Sequence, residues 1–572
     1  MRWIGKLSVC GLLLAGLGVS FWQSDRPGAV DPITFELMAP RGLHFVSNSG
    51  ATSRKYQPQT MLAGVALIDY DNDGLLDIYL VNGAAMPDLV KNGEAFSNRL
   101  FRNNGDGSFT DVTGRAGVKG RGYDIGVAVA DFDNDGYEDI FVAGVRGNIL
   151  YHNNGDGTFT DVTQKAGLDH RDPVYGRLWA ASAAWVDHDR DGWLDLFVSN
   201  YVVWDPEQEP VCERDHVPDF CHPKLYQGLP NSLFHNNHDG TFTDVSQRSG
   251  IRKSIGKGMG VAVADFDNDG WPDIFVANDN EPNQLFHNEK NGTFSGAAVE
   301  NGVAYTENGA AIAGMGADAR DVDNDSWPDI FETALVKETM PLFRNLGHGI
   351  FQEITRESGL TAATRNKGGW SNGVFDFNND GWKDLFVAAA HVLDPGGNRR
   401  ASVEQSNVVL ANLHNGGFSD VSSHAGNDFA RPAVHRGAAF GDLDNDGRID
   451  IVVTCLDGRP EVWHNTSPVR NHWLIIKTIG STSNRDGIGA KLKLTTSSGV
   501  QFNQVTTAVG FASASDRRVH FGLGKDSVAR KLQIVWPSGT VQMLENIRAD
   551  QILIVREKPA LPKSGRDPGS GR

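Results

Sequence analysis

The sequence predicts an all-β chain: a seven-bladed β-propeller with an acid-rich loop in each blade, followed by a small β-sandwich. Three observations predict this. A nine-residue pattern, Asp-x-Asp-x-Asp-Gly-x-x-Asp, recurs seven times with small departures, starting at Asp69, Asp131, Asp187, Asp265, Asp321, Asp376 and Asp442. The separations are 62, 56, 78, 56, 55 and 66 residues, a near-regular period of the kind that repeat architectures show. Short apolar runs flank every copy, such as Gly126 to Ala130 before and Ile140 to Ala143 after, and read as buried strands joined by the loop.

A second element follows each of these hairpins. Ile149-Leu150-Tyr151-His152-Asn153 and Thr158-Phe159-Thr160-Asp161-Val162 bracket Asn154-Gly155-Asp156-Gly157, a tight-turn sequence between two more strands. Four strands per unit is the composition of a propeller blade. The seventh unit stops at Val462-Trp463-His464-Asn465-Thr466, without its outer strand. The segment Gly42 to Gly50 resembles that missing strand and its tail, so the N-terminus is expected to complete the seventh blade. Such a swap closes a ring and removes sheet edges. The propeller is expected over 33–466.

The chain has 572 residues, 66 glycines and a formal net charge of −18. Many glycines imply many turns. The acidity argues against nucleic acid or an anionic membrane as partner. At the N-terminus, Arg2 and Lys6 precede an uncharged apolar run from Leu7 to Trp22. Residues 1–24 read as a cleaved signal peptide or an uncleaved anchor, the run being short for a membrane span. Either reading places the chain outside the cytoplasm. Cys212 and Cys221 share one loop; in an exported chain they read as a disulfide. The alternative, a metal pair with His216 and His222, matches no common zinc spacing. Cys455 lies in an apolar strand and reads as a buried thiol.

The loops invite comparison with an EF-hand, which begins with the same aspartate spacing. An EF-hand needs flanking helices and a glutamate at loop position 12. Here position 12 is Leu80, Val142, Val198, Val276, Val387 or Val453 in six copies, and only Glu332 fits. Hairpin loops remain. Carboxylates at positions 1, 3, 5 and 9 can converge on a hard cation, calcium above all, while magnesium demands a stricter octahedron and transition metals prefer imidazole or thiolate. The first loop offers Asp69, Asp71, Asp73 and Asp77, and the second Asp131, Asp133, Asp135 and Asp139. The third offers Asp187, Asp189, Asp191 and Asp195, and the fourth Asp265, Asp267, Asp269 and Asp273. The fifth offers Asp321, Asp323, Asp325 and Asp329; the sixth Asp376, Asn378, Asp380 and Asp384; the seventh Asp442, Asp444, Asp446 and Asp450. Up to seven Ca²⁺ are expected. They would offset much of the negative charge, which makes them structural. The third loop, with His188 and Arg190, and the fifth, with Ser326 where glycine is usual, are the weaker sites.

These loops and the Leu-Phe-x-Asn-x-x-Gly-x-Phe strands resemble the FG-GAP/VCBS repeats of integrin α-subunit propellers and many bacterial exported proteins. Beyond them, Arg485-Asp486-Gly487-Ile488-Gly489-Ala490, His520-Phe521-Gly522-Leu523-Gly524 and Val535-Trp536-Pro537-Ser538-Gly539 resemble the ASPIC/UnbV domain found in cartilage acidic protein. The resemblance covers nearly all of 33–556. It implies a backbone carbonyl at loop position 7 as a further calcium ligand, and the Cys212–Cys221 insertion looks typical of it. The family's Ser-Gln pair is here Ser513-Ala514. The sandwich is expected over 468–556, docked on the propeller, with a disordered tail at 557–572.

His152, His235, His287 and His464 share one repeat position with Arg102 and Arg344, so the set reads as structural. Trp193, Trp271, Trp327 and Trp382, at loop position 7, read as packing or loop cover. Function is sought in the non-repeat segments Tyr201 to Gly228, His391 to Ser406 and Asn278 to Glu281. No Gly-x-Ser-x-Gly, His-Glu-x-x-His or Walker sequence is present. The favoured expectation is a calcium-stabilised binding or adhesion module for a protein or glycan. The alternative is an enzyme acting on polysaccharide at the propeller's central face.

Overall fold

A computed structural model describes residues 31–169, 171–214, 216–392 and 403–558. The N-terminal segment at 1–24 and all of the expected tail beyond Lys558 lie outside the described residues. Among the described residues, seven antiparallel four-stranded blades follow one another, the first extended by two short strands of the C-terminal domain. Blade one comprises Val65–Ile68, Asp77–Leu80, Arg99–Asn103 and Phe109–Asp111, and blade two Tyr123–Ala130, Asp139–Val145, Ile149–Asn153 and Phe159–Asp161. Blades three to six begin at Ala180–Val186, Gly258–Ala264, Ala317–Arg320 and Gly369–Phe375. The first strand of each blade lies beside the first strand of the next, and that of blade seven, His435–Gly441, lies beside that of blade one. The sheets therefore form a closed ring, with apolar clusters between neighbouring blades, such as Phe101, Val65 and Leu80 with Val452 and Val462.

Closure uses the N-terminus, although at a different segment from the one the sequence suggests. Phe35–Met38 is the outer strand of blade seven, with Phe35 opposite Asn465, as Phe159 is opposite Asn153 in blade two. Gly42 to Gly50 is only the tail that follows. Gly42 has φ +87°, and its α-carbon sits so close to the Phe109 carbonyl that any β-carbon would collide with it. Gly167 approaches Phe242, Gly359 approaches Phe418 and Gly426 approaches Phe35 in the same way. The last contact joins blade six to the swapped strand of blade seven and completes the circuit.

The C-terminal domain pairs Val519–Gly524, His472–Ile479 and Gln551–Arg556 in one sheet. Val500–Gln504, Lys491–Thr495, Val528–Val535 and Val541–Arg548 form the other. Leu474, Leu492, Val519, Leu532, Ile534 and Trp536 share a core between them. Glu557, which the sequence places at the start of a tail, is buried and accepts the backbone N–H groups of Ser481, Thr482 and Ser483. Cys212 and Cys221 form a disulfide.

Candidate metal-binding loops and the domain that caps them

Each acidic loop is shaped by its own carboxylates. In loops two to seven the aspartate at position 1 accepts backbone N–H groups at positions 5 and 6, as Asp131 does from Asp135 at 3.0 Å and Gly136 at 2.7 Å. The aspartate at position 9 accepts from position 2 and from the asparagine that ends the third strand. Asp139 takes the N–H of Phe132 at 3.1 Å and of Asn153 at 2.7 Å. That asparagine then ties adjacent blades together. Asn153 Nδ2 donates to Glu138 O in its own loop and to Tyr70 O in the loop before. Asn103 does the same with Leu76 O and Leu443 O, linking blade one back to blade seven.

Position 4 makes a second circuit. Asn72 donates to Gly136 O, Asn134 to Gly192 O, Asn379 to Gly447 O and Asn445 to Gly74 O. In the third loop the position holds Arg190, whose guanidinium lies over the Trp271 ring, 5.3 Å from its centroid. The loops are thus one continuous collar on a single face of the ring. Trp193 stacks on His238 and Trp382 on His414, which makes these tryptophans loop cover.

Position 3 has a different role. The Oδ1 atoms of Asp71, Asp133, Asp189 and Asp323 are buried without a hydrogen-bond partner, although buried oxygens of this kind are almost always satisfied. Burial and neighbouring acids, with Asp486 of the C-terminal domain foremost among those beside Asp131, hold several carboxyls far above their usual range: Asp77 and Asp131 up to about 9, Asp187 and Asp442 up to about 8. Converging oxygens, buried orphans and uncompensated charge are what a hard cation would resolve. The donor set fits calcium.

The histidines and arginines at the shared repeat position face these same acids, which the sequence did not reveal. His152 Nδ1 lies 3.2 Å from Asp133 Oδ2 and 3.3 Å from Asp139 Oδ1. His287 and His464 make the matching 3.1 Å contacts with Asp273 and Asp450. In the first loop Arg102 bonds Asp71 at 2.7 Å and Asp73 at 2.6 Å, and in the fifth Arg344 pairs with Asp323 at 2.6 Å. The third loop differs again: His188 and His235 both meet Asp195. Ser326, in the fifth loop, takes φ +82°, the conformation that glycine has in the other six.

The C-terminal domain lies on this collar. Lys477 Nζ pairs with Asp69 at 3.2 Å and Lys491 Nζ with Asp265 at 2.6 Å. Asp486 accepts the N–H of Asp131 at 2.8 Å, and Arg517 bonds Glu138 at 2.6 Å. Arg518 donates to Asn445 and to the Asp442 carbonyl. From the domain, Ala508–Val509 and Ser513–Ala514 reach into the ring, where Ala514 pairs with Ala66 of blade one. At the tip, Ala512 O accepts from Val127 of blade two and Phe511 N donates to Ser371 of blade six. Phe511 is fully buried. Gly126, Gly260 and Gly437 on three inner strands leave space for both the neighbouring blade and this segment: a β-carbon on each would meet Ala181, Met315 and Ala63 first, and also Ala512, Gly510 and Ser513 respectively.

The opposite mouth is also closed. The buried turn Gln57–Thr60 reaches from Arg436 of blade seven, whose Nε donates to Thr60 O, to Glu209 of the blade-three insertion, which accepts Gln57 N. Two of the three non-repeat segments meet on this face, where Tyr201 donates to Asp279 at 2.6 Å. The third, His391 to Ser406, lies in part outside the described residues.

The chain matches two families. The FG-GAP-like repeat family matches five overlapping stretches: 69–142, 131–198, 226–276, 265–332 and 321–387. The ASPIC and UnbV family matches 480–562. Cartilage acidic protein 1 of Xenopus tropicalis is 26% identical over 506 residues, 85% of this chain and 71% of the relative. That of Mus musculus is 25% identical over 504 residues, covering 84% and 71%. Among solved structures, BP39L lectin from Burkholderia pseudomallei aligns at TM-score 0.44 and 12% identity, covering 72% of this chain and 99% of that one. An Agrocybe aegerita lectin described as recognising non-reducing terminal N-acetylglucosamine aligns at 0.40 and 18%, covering 70% and 87%. The chain belongs to the FG-GAP-like repeat family and ends in an ASPIC and UnbV domain.

Proposed function

We propose that this chain is an exported binding module whose calcium-loaded collar locks the ring to its C-terminal domain, and whose opposite face holds the ligand site. The loop acids at positions 1, 3, 5 and 9, with Asn378 in the sixth loop, would hold up to seven ions. Calcium would supply the positive charge that the buried carboxylates lack; it has no assigned chemical step.

The observation that carries the ligand site is the blade-three insertion. It is held rigidly by the Cys212–Cys221 disulfide and by Glu209, which accepts from Trp204 Nε1 at 2.5 Å and Tyr226 Oη at 2.8 Å. Yet it presents Val211 at 69% and Leu225 at 61% exposure, with Val203 and Val217 also exposed. Exposed aliphatic side chains on a braced loop insertion support a contact surface there. The disulfide supports export, since such bonds persist in oxidising compartments. The enzyme reading is left only this same face, because the C-terminal domain occupies the centre of the other.

The test is binding of the purified chain to arrays of glycans and of extracellular proteins, with calcium. A double Val211→Asp, Leu225→Asp variant should lose the ligand while keeping its melting temperature. Undiminished binding by that variant would place the site elsewhere.

A further inference from the structure

Blade seven departs from its neighbours at the end away from the loops. In five other blades an asparagine near the start of the third strand accepts a backbone N–H from the end of the second; Asn98 accepts from Asn82, and Asn231 from Asn200. In blade seven that asparagine is replaced by Pro460, and the residue at the end of the second strand is Cys455. His435 lies directly across from Cys455 in the sheet, and Glu461 across from Val453, so that three adjacent strands bring the three side chains together.

His435 Nε2 is 3.0 Å from Glu461 Oε2. The three side chains each offer one ligand atom, all within 4.8 Å of one another, and all three residues are buried. Cys455 is the free thiol among the described residues. Behind this group stands an orienting shell. His435 Nδ1 donates to the Ala389 carbonyl at 3.0 Å, which in the neutral ring leaves the Nε2 lone pair facing Cys455 and Glu461. Trp463 Nε1 donates to Glu461 Oε2 at 3.1 Å. Metal ligands are oriented in this way by outer hydrogen bonds.

We propose that blade seven holds a zinc-class transition metal between His435 Nε2, Cys455 Sγ and a carboxylate oxygen of Glu461. A mixed nitrogen, sulfur and oxygen set suits a borderline cation and is foreign to calcium, which takes oxygen alone. The site is therefore separate from the loops in both place and chemistry. Binding displaces the thiol proton to solvent and leaves a metal thiolate, with no change of oxidation state. In an oxidising compartment the metal would also shield the Cys455 thiol.

The test is expression of the full chain with Co²⁺ as the added transition metal, in excess calcium and without reductant so that Cys212–Cys221 stays closed. After dialysis, elemental analysis should find cobalt retained, and the near-ultraviolet spectrum should carry a thiolate-to-cobalt charge-transfer band. Cys455→Ser should abolish the band, and Glu461→Gln, which keeps the thiol, should weaken cobalt retention by about tenfold or more. A wild-type chain without that band would overturn the proposal. So would a band that survives in Cys455→Ser.

Discussion

Phe511 of the C-terminal domain packs against Trp370 on the inner strand of blade six, with ring centroids 5.5 Å apart and both rings buried. The phenyl ring belongs to a core shared with Met61, Trp179, Met259 and Met315 from around the ring. The domain is thus joined to the propeller by a hydrophobic peg as well as by charges on the collar. Phe511→Ala should cost about 3–5 kcal/mol, the range for a fully buried phenylalanine whose cavity cannot collapse. Denaturant unfolding should show the loss, with the C-terminal domain becoming the first part cut by protease.

Arg102 makes the first loop unlike the second. Its guanidinium already bonds Asp71 and Asp73, so a divalent ion entering there must displace it. Arg102→Ala should tighten calcium binding at this loop roughly tenfold, the factor that about 1.4 kcal/mol of removed competition gives. The same change should lower stability in chelator, where Asp71 and Asp73 lose the guanidinium that pairs with them. Titration calorimetry with and without the variant measures the first effect, and thermal melts the second.

The fifth loop carries backbone strain at Ser326, held at φ +82°. Side chains in this region cost of order 1–3 kcal/mol. Ser326→Gly should therefore stabilise the chain by about 1 kcal/mol after the extra entropy of an unfolded glycine is subtracted. A matched glycine-to-serine change in the fourth loop, Gly270→Ser, should destabilise by a similar amount. The pair of melts tests the strain directly.

Glu332 titrates in an unusual range. Burial drives its carboxyl up to about 8, partly opposed by the hydrogen bond from Asn283 Nδ2. The folded state therefore holds a proton that the unfolded chain releases near the ordinary carboxyl range. The group's contribution to stability is complete below about pH 4.5 and is lost as pH rises through about 8. Glu332→Gln keeps the acceptor for Asn283 and cannot ionise. It should match the parent near pH 5 and exceed it by roughly a few kcal/mol above pH 8. Chemical unfolding of both chains across that window reads the difference.

The sequence made the repeat legible because every blade spells its loop in the same letters, and strands flank each copy. The paired cysteines were legible for a similar reason, as neighbours in one exported loop. The closing strand was harder. Phe35–Met38 lacks the Gly-Asp-Gly turn that announces Phe159, so the tail glycine Gly42 drew attention to the segment behind it. The role of His152 and Arg102 was hidden because their partners lie on the loop before the neighbouring strand, and a shared repeat position looked structural. The peg was not legible at all. Gly510-Phe511-Ala512 has no internal repeat to mark it, and its meaning depends on glycines in three separate blades.

On the proposed function, cations in the collar hold the ring and its cap together. Calorimetric melting of the chain in excess calcium and then in excess chelator tests it most directly. The expected result is one high-temperature transition with calcium and, in chelator, a large downward shift in which the C-terminal domain and the ring come apart. An unchanged melting temperature in chelator would contradict it.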